Sequence, residues 1–360
     1  MKGLILPFML VSGTWLANIA FAATAPIALH QVVVVDEDAK PIHLRHVDFE
    51  DDKVTARVVS EPSAGELFQL SAVYDKFGYE PRTAERLSSN QDVTSSSNTL
   101  IFQRPRVALA PYGMWGSFSF TVSDATATSL PSIVYLLSND GVLVGSRFSI
   151  SSEGWEICQQ VAAPSTCQAA THDTTSRDAA MNAFITGEDR LRHIGSDGGD
   201  KSKWFFAAPT STFSGNLGVA YQGSLEFDMA SLSGDFSSSG SLGLNIVELY
   251  CERCSSNTAG TTLAFPLSAT EGFSSNQHFV IPLTPSAGWI KDPENSLVEW
   301  SQPTVCEFIE VLSNLSSLRI LGDLSSGHET IGIDNVAITQ LRNTLPVCAQ
   351  GRPDATVCIC

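Results

Sequence analysis

Apolar and polar residues alternate over short stretches along most of this chain, which is the pattern that half-buried β-strands produce. A clear case is residues 54–59, where small apolar residues alternate with Thr55 and Arg57. Further strands are predicted at 31–35, 67–73, 100–102, 117–122 and 132–137. Turn sequences such as 61–65 separate them. Strands at this spacing, without helical periods, predict a β-sandwich over residues 28–145.

The second half of the chain, residues 146–340, shows the same strand pattern with one helical exception. Strands are predicted at 147–150, 204–207, 224–229, 243–250, 261–265, 277–283, 318–321 and 330–339, and a Ser/Thr/Ala-rich loop up to about Asn182. Residues 306–318 form the helical candidate, because their apolar side chains recur at helical spacing on one face. One short helix among many strands is typical of a jelly roll.

The N-terminus has the features of a cleaved signal peptide over residues 1–22. Lys2 precedes an apolar run, and Ala20-Phe21-Ala22 forms a small-x-small cleavage pattern. A membrane anchor is the alternative, but polar residues at 12–14 and Asn18 interrupt the run, which is barely long enough for the ~30 Å hydrocarbon layer. We therefore expect a secreted protein with no transmembrane segment in the mature chain.

Length and charge narrow the possible partners. A chain of 360 residues can hold two domains of ordinary size. The net charge of −17 argues against nucleic acid or an anionic membrane as the partner, because either would need a basic face. The same charge is compatible with binding of divalent cations.

The cysteines favour disulfides over zinc, because a secreted chain folds in an oxidising compartment. The candidates are Cys158, Cys167, Cys251, Cys254, Cys306, Cys348, Cys358 and Cys360. Cys158 and Cys167 bracket a short loop and are expected to pair. Cys251 and Cys254 either pair with each other or form half of a zinc site whose second Cys-x-x-Cys is missing. Together with Cys306 they leave one thiol over, and its pairing must be resolved with the cysteines of the tail.

A series of short motifs over residues 146–340 resembles the laminin B domain, also called laminin domain IV type A. In chain order the motifs are Glu153-Gly154-Trp155, the segments 204–209, 213–216 and 221–228, Gly288-Trp289, the segment 308–320, and Ile333-Asp334-Asn335-Val336. The resemblance implies a jelly-roll (galactose-binding-like) β-sandwich related to carbohydrate-binding modules and found in extracellular matrix proteins. The tail, residues 341–360, resembles the start of an EGF-like module. The chain is then either a fragment of a longer mosaic protein or uses these thiols for intermolecular bridges.

Residues 28–145 resemble cadherin-like, immunoglobulin-type repeats, on the motifs at 35–39, 61–69 and 116–124. The expected fold class is therefore all-β, an immunoglobulin-like sandwich followed by a jelly roll. Such repeats often bind calcium between domains, and the acidic residues that could contribute are Asp48, Glu50, Asp51 and Asp52. A solvated acidic turn is the alternative.

Calcium is the expected ligand of the jelly roll. By the resemblance, a structural ion lies between the first and last strands and takes hard oxygen ligands. Glu153 and Asp334 are the candidate ligands, and Asp197 and Asp200 lie in a Gly-rich loop as outside candidates. The alternative is that Glu153 is an exposed turn residue and Asp334 caps a strand.

No catalytic constellation is recognisable in the sequence. The segment 328–332, His-Glu-Thr-Ile-Gly, begins like a zinc-protease helix but lacks the second histidine one turn later. Trp115, Trp289 and Trp300 are possible sugar-stacking platforms, with core packing as the alternative. Asn314-Leu315-Ser316 is an N-glycosylation sequon.

The sequence thus predicts a secreted, non-catalytic extracellular matrix or cell-adhesion component that binds an extracellular protein or glycan. The alternative is a carbohydrate-binding module of a secreted protein.

Overall fold

The computed structural model describes residues 24–50, 52–70, 85–105, 113–138, 140–160, 166–175, 182–189, 203–234, 244–254, 259–269, 273, 275–292, 300–325 and 328–340. The predicted signal peptide, the tail with Cys348, Cys358 and Cys360, and the acidic candidates Asp51, Asp197 and Asp200 lie outside these ranges. In the described ranges, no helix is long and apolar enough to span a membrane.

The first half of the chain forms a β-sandwich. Its strands are β1 (Ile27–Ala28), β2 (Gln31–Val34), β3 (Ala39–His43), β4 (His46–Val47), β5 (Thr55–Ser60), β6 (Glu66–Gln69), β7 (Arg86–Leu87), β8 (Thr99–Gln103), β9 (Met114–Ser123) and β10 (Ser132–Leu137). They form two four-stranded sheets, β2-β10-β9-β5 and β3-β8-β6-β7, and a small β1-β4 pair. Strand β9 shows why these residues form a sandwich. Phe118, Phe120 and Val122 face the common core, and the residues between them face outward.

The second half forms a larger sandwich. Its strands are β11 (Val142–Ser146), β12 (Glu156–Gln160), β13 (Thr166–Ala169), β14 (Thr171–Asp173), β15 (Phe184–Glu188), β16 (Lys203–Ala207), β17 (Ser224–Ser233), β18 (Asn245–Cys251), β19 (Thr261–Pro266), β20 (Asn276–Pro282), β21 (Ile290–Asp292), β22 (Ser317–Leu321) and β23 (Thr330–Thr339). Two short helices, α1 (Thr210–Phe213) and α2 (Val305–Ser313), and single 3-10 turns at Gly218–Ala220, Leu267–Ala269 and Pro285–Ala287 connect described strands.

The two sheets of the larger sandwich enclose the main hydrophobic core. One sheet has the order β14-β15-β23-β17-β20, with β11 also paired to β23, and the other has the order β13-β12-β16-β22-β18-β19-β21. Trp155, Trp204 and Trp289 are fully buried between and around them. The prediction of an all-β chain built from sandwiches is confirmed.

Strand β23 holds the six-stranded sheet together. Along one side it pairs with β17. On its other side it pairs with β15 at residues 330–333 and with β11 at residues 336–339. Asp334 and Asn335 therefore lie between the segment of β23 that pairs with β15 and the segment that pairs with β11. The register against β17 shifts here, and Asn335 has a left-handed φ of 50°.

Helix α2 is shorter than the predicted 306–318. It begins with a capping box, in which Thr304 accepts from the Glu307 N–H and the Glu307 carboxylate accepts from the Thr304 N–H. It ends at Ser313, because the backbone of Leu315 instead exchanges hydrogen bonds with Gly215 at 2.7 and 3.0 Å. The residues after it enter β22, which the sequence pattern had partly assigned to the helix.

The predicted strand at 147–150 is wrong. The strand in this region is β11, and the chain leaves it at Arg147. Phe148 takes a left-handed φ of 51° and turns its ring into the core against Trp155, whereas Ile150 is 89% exposed. The predicted Ser/Thr/Ala-rich loop also contains β13, whose side chains are all exposed, and β14, whose three residues are all polar. Neither strand therefore shows an alternating apolar pattern.

Trp204 is packed between two glycines, Gly187 and Gly322. A Cβ on Gly322 would overlap the six-membered ring of Trp204, and one on Gly187 would lie 2.5 Å from the same ring. We expect Gly322→Ala to lower the free energy of unfolding by more than about 2 kcal/mol, because the ring cannot move in a close-packed core. The measurement is denaturant unfolding followed by tryptophan fluorescence.

Gly215→Ala is the matched control for this substitution. Gly215 has open space around its Cα but a φ of +89°. Its replacement should cost only the left-handed backbone strain, about 1 kcal/mol. Equal losses in the two variants would contradict the packing account of Trp204.

Candidate functional site

Two aspartates, Asp228 and Asp334, lie side by side on the outward face of the sheet, at the point where β23 stops pairing with β15 and starts pairing with β11. Asp228 of β17 lies directly opposite Asp334 of β23 in the strand register. Phe227 and Met229, on either side of Asp228, point into the core, so Asp228 points outward. Asp334 is only 4% exposed.

Hydrogen bonds link these two carboxylates through Asn335. The backbone N–H of Asn335 donates to Asp334 Oδ1 at 2.7 Å, and its side-chain Nδ2 donates to Asp228 Oδ2 at 2.7 Å. His278 Nδ1 lies 2.8 Å from Asp228 Oδ1. Asp228 is therefore held by two neighbours, whereas Asp334 is buried with a single hydrogen bond and no ion pair among the described residues.

Burial, together with the nearby charges of Asp228 and Glu153, raises the pKa of Asp334 to about 7 against the opposing effects of the Asn335 N–H and Arg147. Arg147 lies 3.4 Å from Asp140, so it is shared with another carboxylate. A buried carboxyl group surrounded by like charges either keeps its proton or binds a cation.

Glu153 lies in the turn that follows β11, near enough for its charge to act on Asp334. Glu153 and Gly154 both have left-handed φ values, 51° and 84°, and the Trp155 N–H closes the turn on Ser152 O at 2.9 Å. Trp155 fixes the turn, since its buried indole donates to Ser146 Oγ at 3.0 Å and contacts the rings of Phe148 and Phe213 edge-on.

The structure thus brings Glu153 and Asp334 close enough for their charges to interact, although they are distant in sequence. It adds Asp228, which the sequence analysis missed. Alternation along β17 places Asp228 on the same polar face as Ser224 and Glu226, so the sequence pattern alone did not single it out.

A second acidic group lies at one end of the first sandwich. Carboxylate oxygens of Asp48, Glu50 and Asp124 come within 4.8 Å of one another. Oxygens of all three also accept hydrogen bonds that close local turns or hold the chain near Thr24. Asp52, a predicted contributor, uses its backbone N–H to donate to Asp48. The arrangement matches an acidic turn as well as it matches a cation site.

Glu329 is a buried acid at the start of β23 rather than part of a zinc-protease helix. Its side chain is completely buried and accepts from Trp204 Nε1 at 2.7 Å and from Ser325 Oγ at 2.5 Å. Burial, with a smaller contribution from the charge of Asp189, raises the pKa of Glu329 to about 7 against the opposing effects of the two hydrogen bonds and His328.

Two cysteine pairs form disulfides in the second sandwich. Cys158 and Cys167 face each other across β12 and β13, and Cys251 pairs with Cys254 in the turn after β18. The second bond removes Cys251 and Cys254 as zinc ligands. Cys306 is disulfide-bonded as well.

Two of the three candidate sugar-stacking tryptophans are core residues. Trp289 is completely buried, donates to Pro282 O at 2.8 Å and contacts Phe265 and Phe308 edge-on. Trp115 is 4% exposed. The sugar-stacking interpretation is therefore wrong for both, because their rings are buried in the hydrophobic cores. Trp300 is half-buried.

Asn314, the asparagine of the sequon, is exposed at the end of helix α2. Its Nδ2 donates to Glu310 O at 3.0 Å. Its use as a glycosylation site stays a prediction.

Comparison with known proteins gives only distant structural likenesses. No protein-family model matches the chain, and no curated protein matches it in sequence. The L4b domain of human laminin alpha-2 is 12% identical, with a TM-score of 0.39, over 56% of this chain and 99% of that domain. The family 11 carbohydrate-binding module of the cellulosomal cellulase Lic26A-Cel5E of Clostridium thermocellum is 13% identical, with a TM-score of 0.31, over 56% and 96%. Likenesses this distant do not assign the chain to a family or to a ligand.

Glu329 makes the stability of the protein depend on pH. Folded Glu329 keeps its proton up to about pH 7, whereas the unfolded chain releases it near the ordinary value of 4.5. The folded state therefore binds more protons in this window, and its stability falls as pH rises from about 4.5 to about 7. We expect Glu329→Gln, which can still accept from Trp204 and donate to Ser325, to be up to about 3 kcal/mol more stable than wild type at pH 8.

The measurement is denaturant unfolding at a series of pH values. Glu252→Gln, at an exposed turn, serves as the control and should leave the wild-type slope unchanged. An unaltered slope in Glu329→Gln would contradict this account and would leave Asp334, whose pKa is also raised to about 7, as the group that sets the pH dependence.

Proposed function

We propose that the protein is a secreted, non-catalytic component of the extracellular matrix or of a cell-adhesion system. In this proposal its second sandwich is a laminin-B-like binding and structural module. The partner is an extracellular protein or a glycan, recognised by the surface of a rigid β-framework rather than transformed in an active site.

The observation that carries the proposal is the disulfide-closed second sandwich. The Cys158–Cys167 bond ties the exposed edge strand β13 to β12, and the Cys251–Cys254 bond closes the turn after β18. Disulfides persist in oxidising compartments and are rare in the cytosol. A covalently held edge strand is also protected against pairing with other chains, which suits a protein that works outside the cell.

The strongly perturbed acids also favour a structural role over catalysis. Glu329 is enclosed by Trp204 and Ser325, where a substrate would have no access. Asp334 accepts a hydrogen bond from the Asn335 N–H and lies near other negative charges, which is the environment of a cation ligand.

We further propose that Glu153 and Asp334, with Asp228 beside them, hold a calcium ion. Calcium takes carboxylate oxygens, and Asp334 is a buried carboxylate without an ion pair in the described residues. The ligand oxygens of Glu153, Asp228 and Asp334 do not all lie within 4.8 Å of one another, so binding would draw these side chains together. Bound calcium would neutralise these charges and tie the turn at Glu153 to strand β23. The site would then rigidify the sandwich where β23 changes neighbours.

A calcium titration of thermal stability tests the cation site. We expect calcium to raise the melting temperature of the wild-type chain, with about 2.7 kcal/mol of stabilisation at a hundredfold excess over Kd, and a chelator to reverse the effect. Asp334→Asn should lose this response. Without calcium it should be at least as stable as wild type, because it no longer buries a charge.

Glu252→Gln, an exposed carboxylate remote from the site, should retain the full calcium response. A wild-type chain that does not respond, or an Asp334→Asn variant that responds normally, would contradict the assignment.

The proposed function itself is tested with the intact secreted chain on an array of purified matrix proteins and glycans. We expect saturable binding to protein spots without release of any product, and no binding to albumin spots. Turnover of an arrayed polymer, or no saturable binding at all, would contradict the proposal. Binding confined to glycan spots would favour the carbohydrate-binding module.

A further inference from the structure

Strand β20 forms a free edge of the six-stranded sheet, because it pairs with β17 on one side and with no described strand on the other. Its register against β17 runs over all seven residues without a shift. The strand carries no aspartate, glutamate, lysine or arginine. A long, regular edge of this kind offers its backbone for pairing with another chain.

The other free edges in the described part of the chain have features that hinder such pairing. Strands β5 and β11 have register shifts, and β3 carries Lys40 and Pro41. Strand β13 is held to β12 by a disulfide. The remaining edge strands have at most four residues, namely β1, β2, β4, β7, β14 and β21. Strand β20 has only Pro282 at its last position, so the residues before it form a regular edge without such a feature.

The hydrogen bonds at the two ends of β20 show which backbone groups face its free side. At one end Ser275 O accepts from β17 at 2.6 Å, and at the other end the Leu283 N–H donates to Gly223 O at 2.9 Å. Backbone groups of an antiparallel strand alternate between its two sides, so those of the odd-numbered residues here face β17. The N–H and C=O groups of His278 and Val280 therefore face away from β17, and no described residue bonds them.

An exposed apolar side chain and a fixed carboxylate lie next to each other at this edge. Val280 is 54% exposed and lies directly opposite Glu226 of β17. Glu226 Oε1 accepts from Ser224 Oγ at 2.7 Å and from Thr339 Oγ1 at 2.9 Å, which holds the carboxylate in place. Its other oxygen, Oε2, has no partner among the described residues and is available to a further donor.

These two side chains favour a lysine or an arginine on an incoming strand. A residue that pairs with Val280 projects from the same face of the sheet as Val280 does. The aliphatic stem of lysine or arginine can cover Val280, while its charged end extends towards Glu226 one strand further in. Asp228 adds negative charge on the same face. The net charge of −17 attracts a basic segment and disfavours a second copy of this chain.

We propose that β20 is a docking edge, at which an extended basic segment of a partner protein adds a strand to the six-stranded sheet. Main-chain hydrogen bonds to His278 and Val280 would supply affinity, and Val280 with Glu226 would select basic side chains at alternate positions. This inference rests on the proposed function, since it names the edge that holds the extracellular protein partner and the chemistry of that partner.

Fluorescence anisotropy of labelled heptapeptides with the full chain tests the docking edge. The basic probe is Thr-Lys-Thr-Lys-Thr-Lys-Thr, and the acidic probe has glutamate in place of each lysine. We expect saturable binding of the basic probe and at least about tenfold weaker binding of the acidic probe, because the face beside β20 is acidic.

Backbone N-methylation of the basic probe distinguishes strand addition from adsorption by charge. Alternate N–H groups of an added strand face β20, and the others face solvent. Methylation of all three lysine nitrogens, or of the threonine nitrogens, should therefore abolish binding in one case and spare it in the other. This readout uses the wild-type chain, so it does not depend on the folding of any variant.

Val280→Pro removes an N–H that the fold does not use, and an edge strand tolerates proline where that side is free. It should weaken binding of the basic probe about tenfold. Val280→Thr keeps the N–H and the β-branched shape, so this matched control should stay within about threefold of wild type. Glu226→Gln can still accept from Ser224 and Thr339, and it should weaken binding about three- to tenfold and reduce its salt dependence.

Three results would overturn the docking edge: no saturable binding of the basic probe, equal binding of both probes, or binding that neither Val280→Pro nor either N-methylated probe reduces. Dimerisation of the chain that is lost in Val280→Pro would make a second copy the occupant and would overturn the partner assigned here. The matrix array does not depend on β20 alone, so protein binding there can survive failure of the peptide test. Failure of the docking edge and failure of the proposed function are therefore distinguishable.

Discussion

The second sandwich depends on one strand, β23, whose backbone must form hydrogen bonds with three neighbouring strands. It pairs with β17 on one side and is shared between β15 and β11 on the other. Strands β15 and β11 follow one another along the same side of β23, which leaves a gap between them. The backbone at Asp334 and Asn335, which lies at this gap, departs from regular pairing. The left-handed Asn335 and the shifted register absorb this departure. The acidic site is therefore a consequence of the sheet topology.

Two buried carboxylates lie on this strand, Glu329 just before it and Asp334 in its middle, and their surroundings give them different roles. Glu329, before the first residue of β23, is enclosed by the neutral donors Trp204 Nε1 and Ser325 Oγ. Protonation removes the cost of burying the charge of Glu329, so this residue makes the stability depend on pH. Asp334 instead lies near the negative charges of Asp228 and Glu153. A divalent cation removes the repulsion among three carboxylates, whereas a single proton neutralises only one of them.

Much of this fold could be predicted from local alternation. Strands β10 and β23 have the predicted bounds, because each alternates or is continuously apolar against a formed core. Strand β13 was missed because all four of its side chains are exposed, and its place is set by pairing and by the Cys158–Cys167 bond. The helix end at Ser313 depends on a long-range backbone pairing of Leu315 with Gly215, which leaves no signal in the sequence near it. The sequence around Trp289 could not predict its burial, because glycine, proline and polar neighbours also surround exposed tryptophans.

The site was predicted in part for similar reasons. Glu153 and Asp334 were named from motifs at the two ends of the domain, but Asp228 enters only through its register opposite Asp334. The most direct test of the calcium account is a crystal structure of the chain grown with calcium and measured for anomalous scattering. The account predicts one ion within about 2.3–2.6 Å of an Asp334 carboxylate oxygen, with Glu153 or Asp228 as a further ligand. Asp334 without an ion, hydrogen-bonded as a protonated acid to Asp228 or paired with Arg147, would contradict it.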